Sequence, residues 1–192
     1  MIYPVVAYGD PVLRKVARDI DKNGDIDVKK LAADMFETMY DANGVGLAAP
    51  QIGMDIRMFV VDGRPMEEDG ENQTEEEGFK KVFINAKVLH EEGEKWPFEE
   101  GCLSLPGIRE DVSRHFKVRV HYFDENWVEH EEEFDGIRAR IIQHEYDHIE
   151  GVLFIDYLSS FKKRLLKGKL ANITKGNVKA DYRMKFPTSA KR

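Results

Sequence analysis

Residues Gln143–Gly151 read Q-H-E-Y-D-H-I-E-G, and this stretch sets the interpretation of the whole chain. His144 and His148 stand four positions apart, which on an α-helix places both imidazoles on one face, one turn apart. Glu145 is rotated about 100° from His144 around the helix, so its carboxylate can lie beside a metal ion without ligating it. The H-E-x-x-H pattern therefore predicts a metal-dependent hydrolase site with two ligands and a general base for water.

A chance match is the competing interpretation, because a five-letter pattern with two free positions recurs at random and paired histidines can be hydrogen-bonded core residues. The flanking sequence favours a helix that Asp135 caps and that ends near Gly151. Four isoleucines are expected to be buried along it, namely Ile137, Ile141, Ile142 and Ile149. Isoleucine is only a fair helix former, so burial must hold this helix in place as a rigid seat for ligands.

A third ligand must come from elsewhere, because catalytic metal sites combine three protein ligands with one open position. Cys102 follows a glycine at the end of a predicted strand, in the segment E-G-C-L-S-L-P. A thiolate with two imidazoles is a sound ligand set for a divalent metal. Two alternatives stay open: a small buried core residue, and a Cys–His nucleophile, which leaves Glu145 and the second histidine without a role.

The segment Gly44–Gln51, G-V-G-L-A-A-P-Q, is small, glycine-rich and uncharged, with one long polar amide at Gln51. Such residues allow the backbone to approach another backbone or a ligand closely. The lysine and the hydroxyl residue of a phosphate-binding loop are missing, so nucleotide binding is not indicated. A tight loop packed beneath a sheet is the alternative interpretation.

Length and composition favour one compact domain spanning residues 1–192, since 42% of the residues are hydrophobic. The lone cysteine excludes an intramolecular disulfide and hence a stapled, secreted scaffold. The chain shows neither a basic leader at its start nor the roughly 18 apolar residues that span a bilayer. These features predict a soluble, cytoplasmic protein that does not engage a membrane.

Charge is distributed unevenly along the chain. The net charge of −7 argues against general or specific DNA binding. From about residue 158 onward, however, eleven Lys or Arg accompany a single acid, a balance of +10, so the first 157 residues carry −17. The segment Leu158–Leu170 is predicted to be a basic amphipathic helix, and Val178–Phe186 an additional edge strand. A solvated helix face and a docking surface for an anionic partner are both compatible with this pattern.

Elsewhere the patterns predict helices at both ends of the chain and several short strands between them. Asp27 is expected to cap an N-terminal helix that stops at Asn43-Gly44. Asp62–Gly78 is expected to be an exposed loop, and Glu92-Gly93 a turn. The predicted strands are Asp55–Val61, Lys81–Leu89, Glu94–Glu99, Ile108–Val112, Lys117–Phe123 and Trp127–Phe134. We therefore expect an α+β fold with short antiparallel strands packed around a central metal-binding helix, and with N-terminal and C-terminal helices.

Three segments together, G-V-G-L-A-A-P-Q, E-G-C-L-S and Q-H-E-Y-D-H, occur in the order found in the peptide deformylases, and the chain resembles that family from Asp10 to about Leu158. The resemblance implies metal-dependent removal of the formyl group from the N-terminal formyl-methionine of new peptides, with release of formate. It also implies one divalent metal held by Cys102, His144 and His148. That metal is natively Fe²⁺ in many members, and Zn²⁺, Ni²⁺ or Co²⁺ can replace it.

The resemblance further assigns roles to neighbouring residues. Glu145 is implied as general base and then general acid, while the Gln51 amide and the Leu103 backbone N–H form an oxyanion hole. Peptide binding is implied along the main chain of the Gly44–Gly46 segment. The same likeness implies an apolar methionine pocket at Val45, Ile137 and Ile141, although a packed core would use the same residues.

The sequence also predicts contacts that support the metal ligands and a docking surface on the basic helix. Arg114 is expected to pair with Glu100, and Asp147 to orient a neighbour. A deformylase meets its substrate at the ribosome, so the basic helix is expected to bind ribosomal RNA. Its cations are Lys162, Lys163, Arg164, Lys167 and Lys169.

Two other functional classes compete with the deformylase interpretation. An endopeptidase of the H-E-x-x-H kind would take a downstream carboxylate or histidine as third ligand and leave Cys102 and Gln51 unexplained. A non-catalytic metal-stabilised module would need a fourth protein ligand, and only three convincing ones occur.

Overall fold

The computed structural model describes residues 1–66 and 78–187. Its strands are β1 (Val5–Val6), β2 (Gly46–Ala48), β3 (Met58–Asp62), β4 (Lys80–Gly101), β5 (Arg109–Phe123), β6 (Glu129–Asp135) and β7 (Met184–Lys185). Its α-helices are α1 (Val28–Asp41), α2 (Gly136–Ile149) and α3 (Ser160–Thr174). Short 3-10 turns occupy Pro11–Arg14, Ala49–Ile52, Arg64–Met66 and Phe154–Tyr157.

A five-stranded antiparallel sheet in the order β2-β3-β4-β5-β6 forms the centre of the molecule. Helix α2, which carries both histidines, packs against β2, β3, β5 and β6. The two terminal strands, β1 and β7, form a separate parallel pair. The predicted α+β fold, with antiparallel strands around a central helix and helices toward both ends, is confirmed.

Burial stabilises α2 despite its composition. Ile142 and Ile149 are fully buried between the helix and the sheet. Each such side chain contributes about 1.5–3 kcal/mol, which exceeds the cost of at most about 0.7 kcal/mol for isoleucine in a helix. Asp135 stands at the predicted N-cap position, but its side chain makes no capping hydrogen bond. The helix therefore depends on tertiary packing.

The predicted strand lengths and one predicted turn are wrong. Lys81–Leu89 and Glu94–Glu99 belong to one strand of 22 residues, β4, while Ile108–Val112 and Lys117–Phe123 both lie largely in β5. At the expected turn, Gly93 has φ +81° and the pairing with β5 shifts register between Glu92 and Lys95. A β-bulge absorbs the turn-forming residues because the partner strand continues alongside them.

The expected exposed loop also begins differently. Asp62 is buried at the end of β3, where its carboxylate accepts hydrogen bonds from Tyr40 Oη at 2.6 Å and Arg64 Nε at 2.8 Å. Arg64–Met66 then forms a 3-10 turn. The remaining acidic part of this segment, residues 67–77, lies outside the described residues.

Both terminal helices form as predicted. The Asp27 side chain accepts a hydrogen bond from the Lys30 N–H, and Asn43 takes a left-handed φ of +54° just after α1. The Ser159 side chain caps α3 in the same way. The predicted Val178–Phe186 strand shortens to β7, which pairs with β1 instead of extending the main sheet. Within residues 1–66 and 78–187, none of the helices has the length and apolar character to cross a membrane.

Candidate metal centre

Three predicted ligands converge where the end of β4 meets α2. Cys102 follows β4 directly, and α2 presents His144 and His148 one turn apart. Sγ of Cys102 lies 3.3 Å from Nε2 of His148, and one donor atom from each of the three residues lies within 4.8 Å of the others. The fold thus joins two sequence segments, about 40 residues apart, that no local pattern connects.

The chemistry of this donor set fits one divalent cation. Nδ1 of His144 lies 2.9 Å from Oε2 of Glu100, so that nitrogen is engaged and Nε2 remains to face a metal. Burial lowers the pKa of His148 well below its ordinary value. His148 is therefore neutral, which is the form that ligates. A thiolate and two imidazoles suit a first-row divalent metal such as iron or zinc.

The carboxylate of Glu100 is the centre of a buried ionic network behind the histidines. It accepts hydrogen bonds from Arg114 at 2.7 and 3.0 Å, from Arg140 at 2.7 Å and from His144 at 2.9 Å. Burial by itself raises the pKa of Glu100, but the hydrogen bonds from His144 and Arg114 outweigh it and hold the pKa well below its usual range. Glu100 therefore remains ionised and fixes the ring of His144.

The network continues from Arg114 to Asp147, which lies on α2 one position before His148. Nη1 of Arg114 lies 2.7 Å from Oδ2 of Asp147, and Tyr157 Oη donates to Oδ1 of the same carboxylate at 3.1 Å. The Arg114 guanidinium also lies 4.8 Å from the centre of the Tyr157 ring. The predicted pairing of Arg114 with Glu100 is confirmed, and the predicted orienting role of Asp147 stays a prediction.

Arg140 is a member of this network that sequence reasoning missed. Besides Glu100, its guanidinium donates to the carbonyl of Val112 at 2.8 Å and to that of Trp96 at 2.6 Å. It also lies 4.6 Å from the centre of the Trp96 ring. The sequence did contain a signal for this contact. Arg140 stands next to Ile141 on a helix that is expected to be buried, and a buried arginine needs a carboxylate partner.

Glu145 lies at the centre as a buried carboxyl group, with 4% of its surface exposed. Among the described residues, its Oε2 atom has no hydrogen-bond partner. Burial raises the pKa of Glu145 to about 7. A carboxyl group with a pKa near neutrality can both accept and return a proton.

The amide of Gln51 is oriented by the backbone. Its Oε1 atom accepts a hydrogen bond from the Ala48 N–H at 2.8 Å, so the NH₂ group must face the metal centre, 3.5 Å from Sγ of Cys102. Leu103 lines the same cavity beside Cys102. Two donors predicted for an oxyanion hole therefore border one space.

A cavity of about 520 Å³ opens in front of the centre. Gly44, Val45, Gly46 and Ile141 line it, as expected, together with His144 and Glu145. Ile137 is not among the described lining residues and packs instead against the core cluster of the sheet. The opposite wall comes from Lys179–Tyr182 near the C-terminus, a contribution that no sequence pattern indicated.

An H-E-x-x-H helix on an antiparallel sheet, a cysteine beside its two histidines and a buried carboxylate define a metal-dependent hydrolase. The sequence model of one family, polypeptide deformylase, matches residues 2–164. The chain therefore belongs to the polypeptide deformylase family.

Individual relatives agree with this assignment. The chain is 61% identical to the peptide deformylase of Cytophaga hutchinsonii, over 97% of this chain and 98% of that protein. It is 53% identical to that of Christiangramia forsetii, over 100% and 99%. The crystal structure of peptide deformylase from Thermus thermophilus has a TM-score of 0.79 at 39% identity, over 92% of this chain and 99% of that chain.

The family removes the N-formyl group from nascent peptides in a metal-dependent hydrolysis, and this chain is such an amidohydrolase. The expectation drawn from the three segments is confirmed. Membership of this family excludes the two competing functional classes, an H-E-x-x-H endopeptidase and a non-catalytic metal-stabilised module.

Proposed function

We propose that Cys102, His144 and His148 hold the catalytic metal and that Glu145 is the general base and acid of deformylation. The observation that carries this proposal is the convergence of three donor atoms within 4.8 Å beside a buried carboxylate with an unpartnered oxygen among the described residues. When bound, a divalent cation acidifies water and polarises a carbonyl oxygen, lowering the pKa of water from 15.7 toward about 7.

Glu145 accepts the proton that water loses as it attacks the formyl carbon. Its carboxyl group then donates this proton to the amine that departs, which releases formate and a free N-terminus. The position of Glu145 supports both steps, because the pKa raised by burial lets one group serve as base and acid near neutral pH.

Gln51 and the Leu103 backbone N–H stabilise the negative charge that develops on the formyl oxygen. The Ala48 contact supports this role for Gln51, since it fixes the amide with its donor side toward the centre. A donor held in place before the reaction requires no reorganisation, and losing one such donor typically costs about 10²–10³ in kcat.

In this proposal the main chain of the peptide pairs with Gly44–Gly46, the segment that enters β2 at Gly46. β2 is the edge strand of the sheet, so it can accept an additional strand. Val45 and Ile141 then provide apolar contacts for the methionine side chain, since both line the cavity. The position of Ile137 behind the cavity gives its predicted role no support.

Fe²⁺ is the proposed native ion, with Zn²⁺, Ni²⁺ or Co²⁺ as substitutes, because this donor set accepts all four. Protein prepared without oxygen is expected to release formate from formyl-Met-Ala, to lose that activity with a chelator and to regain it on addition of Fe²⁺. Acetyl-Met-Ala is the matched control, and we expect it to be a far poorer substrate. Full activity in metal-free protein would contradict the proposal.

The basic helix α3 is proposed as a docking surface for ribosomal RNA. Arg164, Lys167 and Lys169 are exposed on it, and phosphate groups are the natural partners of such clusters. Lys162 and Lys163 contribute less, because Lys162 contacts Glu110 at 2.6 Å and Lys163 the Asp156 carbonyl at 2.7 Å.

We further propose that residues 1–192 act as one catalytic domain in the cytoplasm, where formylated peptides are made. The pairing of β1 with β7 supports one domain, since it joins the two ends of the described chain. The cavity also draws its lining from residues between Ala42 and Tyr182.

A further inference from the structure

The C-terminal segment Val178–Phe186 forms one wall of the active-site cavity. Four of its residues, Lys179, Ala180, Asp181 and Tyr182, line that space together with Cys102 and His144. The match to the family sequence model ends at residue 164, so this wall lies beyond the matched region.

Main-chain pairing fixes this segment against the N-terminal part of the chain. The Val5 N–H donates to the Arg183 carbonyl, and the Ala7 N–H to the Lys185 carbonyl, both at 2.8 Å. The Phe186 ring lies over Gly176, where an added Cβ would be 3.4 Å from the ring. Tyr182 thus lies two residues before the start of β7, and the apolar side chains of Met184 and Phe186 pack against the core.

The hydroxyl of Tyr182 reaches the segment that carries the cysteine ligand. Tyr182 Oη donates a hydrogen bond to the Leu103 carbonyl at 2.7 Å, across 79 positions of sequence. The next carbonyl, that of Ser104, accepts from the Tyr8 N–H at 2.8 Å. Two successive carbonyl groups after Cys102 are therefore held by the two terminal segments of the chain.

We propose that Tyr182 is a positioning residue for deformylation, which fixes the Leu103 carbonyl and so the direction of the Leu103 N–H. Only the φ and ψ torsions of Leu103 separate that N–H from the carbonyl, and Cys102 is held on the other side as a metal ligand. Restraining the carbonyl therefore restricts where the N–H points. This inference rests on the proposed role of the Leu103 N–H as an oxyanion donor.

Replacing Tyr182→Phe removes the hydroxyl and keeps the ring that fills the wall. Tyr122→Phe is the matched control, because it removes a hydroxyl that donates to Glu132 at 3.1 Å outside the cavity lining. For the full-length, iron-loaded enzyme, kcat and KM for formyl-Met-Ala, iron content and Tm are measured. We expect kcat to fall about 3- to 30-fold for Tyr182→Phe, a part of the 10²–10³ that loss of a whole donor costs.

The expected kcat loss is accompanied by a KM within about twofold of the unaltered value and by unchanged iron content, because ground-state binding and ligation are unaffected. In isotope-labelled, zinc-loaded protein, the Leu103 amide resonance is expected to shift in Tyr182→Phe and not in Tyr122→Phe. An unchanged kcat for Tyr182→Phe would overturn the proposal. If Tyr182→Phe lowered kcat and iron content to the same extent, the proposal would also be overturned. Tyr182 would then support the metal ligand Cys102 and not the Leu103 N–H.

The variant Gln51→Glu distinguishes a failure of the Tyr182 proposal from a failure of the proposed oxyanion hole on which it rests. That variant keeps an acceptor for the Ala48 N–H and removes the amide donor. If Gln51→Glu loses activity and Tyr182→Phe does not, the positioning role alone is wrong. If neither variant lowers kcat, the oxyanion hole itself is wrong.

Discussion

Gly46 of β2 lies directly against the side chain of Glu145. A Cβ atom placed on Gly46 would be 2.7 Å from Cδ and 2.8 Å from Cγ of Glu145, closer than real Cβ contacts allow. The glycine is therefore required by the close approach of the Glu145 side chain, since its backbone φ is not in the left-handed region. Strand β2 and helix α2 can come this close only where one side chain is missing.

Gly46→Ala is expected to lower kcat at least about tenfold, because the new methyl group must displace the Glu145 carboxyl group and small misplacements can cost about 10²-fold. Gly168→Ala is the matched control, since a Cβ there meets nothing within 4 Å. Steady-state deformylation and Tm are measured for both. A Gly46→Ala enzyme with unaltered kcat would show that Glu145 does not need its present position.

Glu145→Gln is expected to abolish formate release while leaving iron content unchanged. The variant preserves the volume of the side chain but cannot accept a proton, and Glu145 is proposed as a base and not as a ligand. Activity and metal analysis of the same preparation provide the test. Retention of more than about one hundredth of kcat would assign the proton transfer to another group.

Cys102→Ser is expected to lower metal occupancy. A serine hydroxyl is a poor ligand at neutral pH, so two imidazoles would have to hold the ion alone. Iron and zinc contents after extensive dialysis are compared with those of the unaltered protein. Normal occupancy in the variant would exclude Cys102 as a ligand.

Glu100→Gln is expected to reduce stability and metal affinity together. The neutral amide cannot accept four hydrogen bonds, and breaking a buried ion pair typically costs about 3–5 kcal/mol. Loss of the contact that orients His144 weakens metal binding about 10- to 100-fold. Glu99→Gln is the control, because the Glu99–Arg109 pair is more than half exposed and such pairs contribute about 0–1 kcal/mol.

Denaturant unfolding and metal titration measure both effects of Glu100→Gln. Equal stability for the Glu100→Gln and Glu99→Gln variants would mean that the buried network does not stabilise the fold.

Reversing charges on α3 is expected to weaken ribosome association in a salt-dependent manner. The triple variant Arg164→Glu, Lys167→Glu, Lys169→Glu removes three exposed cations of α3, whereas the same change at the exposed residues Lys22, Lys87 and Lys95 is the control. Co-sedimentation with ribosomes at low salt is measured for both. Equal binding by the two variants would exclude α3 as the docking surface.

Local signals predicted much of the candidate site. The four-residue spacing of His144 and His148 follows from the period of a helix, and the cap at Asp27 acts within one turn. Strand ends were predicted less well, because Gly93 reads as a turn residue wherever the partner strand is unknown. The bulge exists only because β5 continues beside it.

The sequence by itself determined the donor chemistry, the helix that carries both histidines and the family to which the chain belongs, since these depend on residue type and short spacing. The tertiary structure alone decided that Glu100 meets Arg140 and that Tyr182 meets Leu103. Contacts of this kind join residues 40 and 79 positions apart. They depend on which elements pack together, and the spacing of residue types along the sequence does not indicate that.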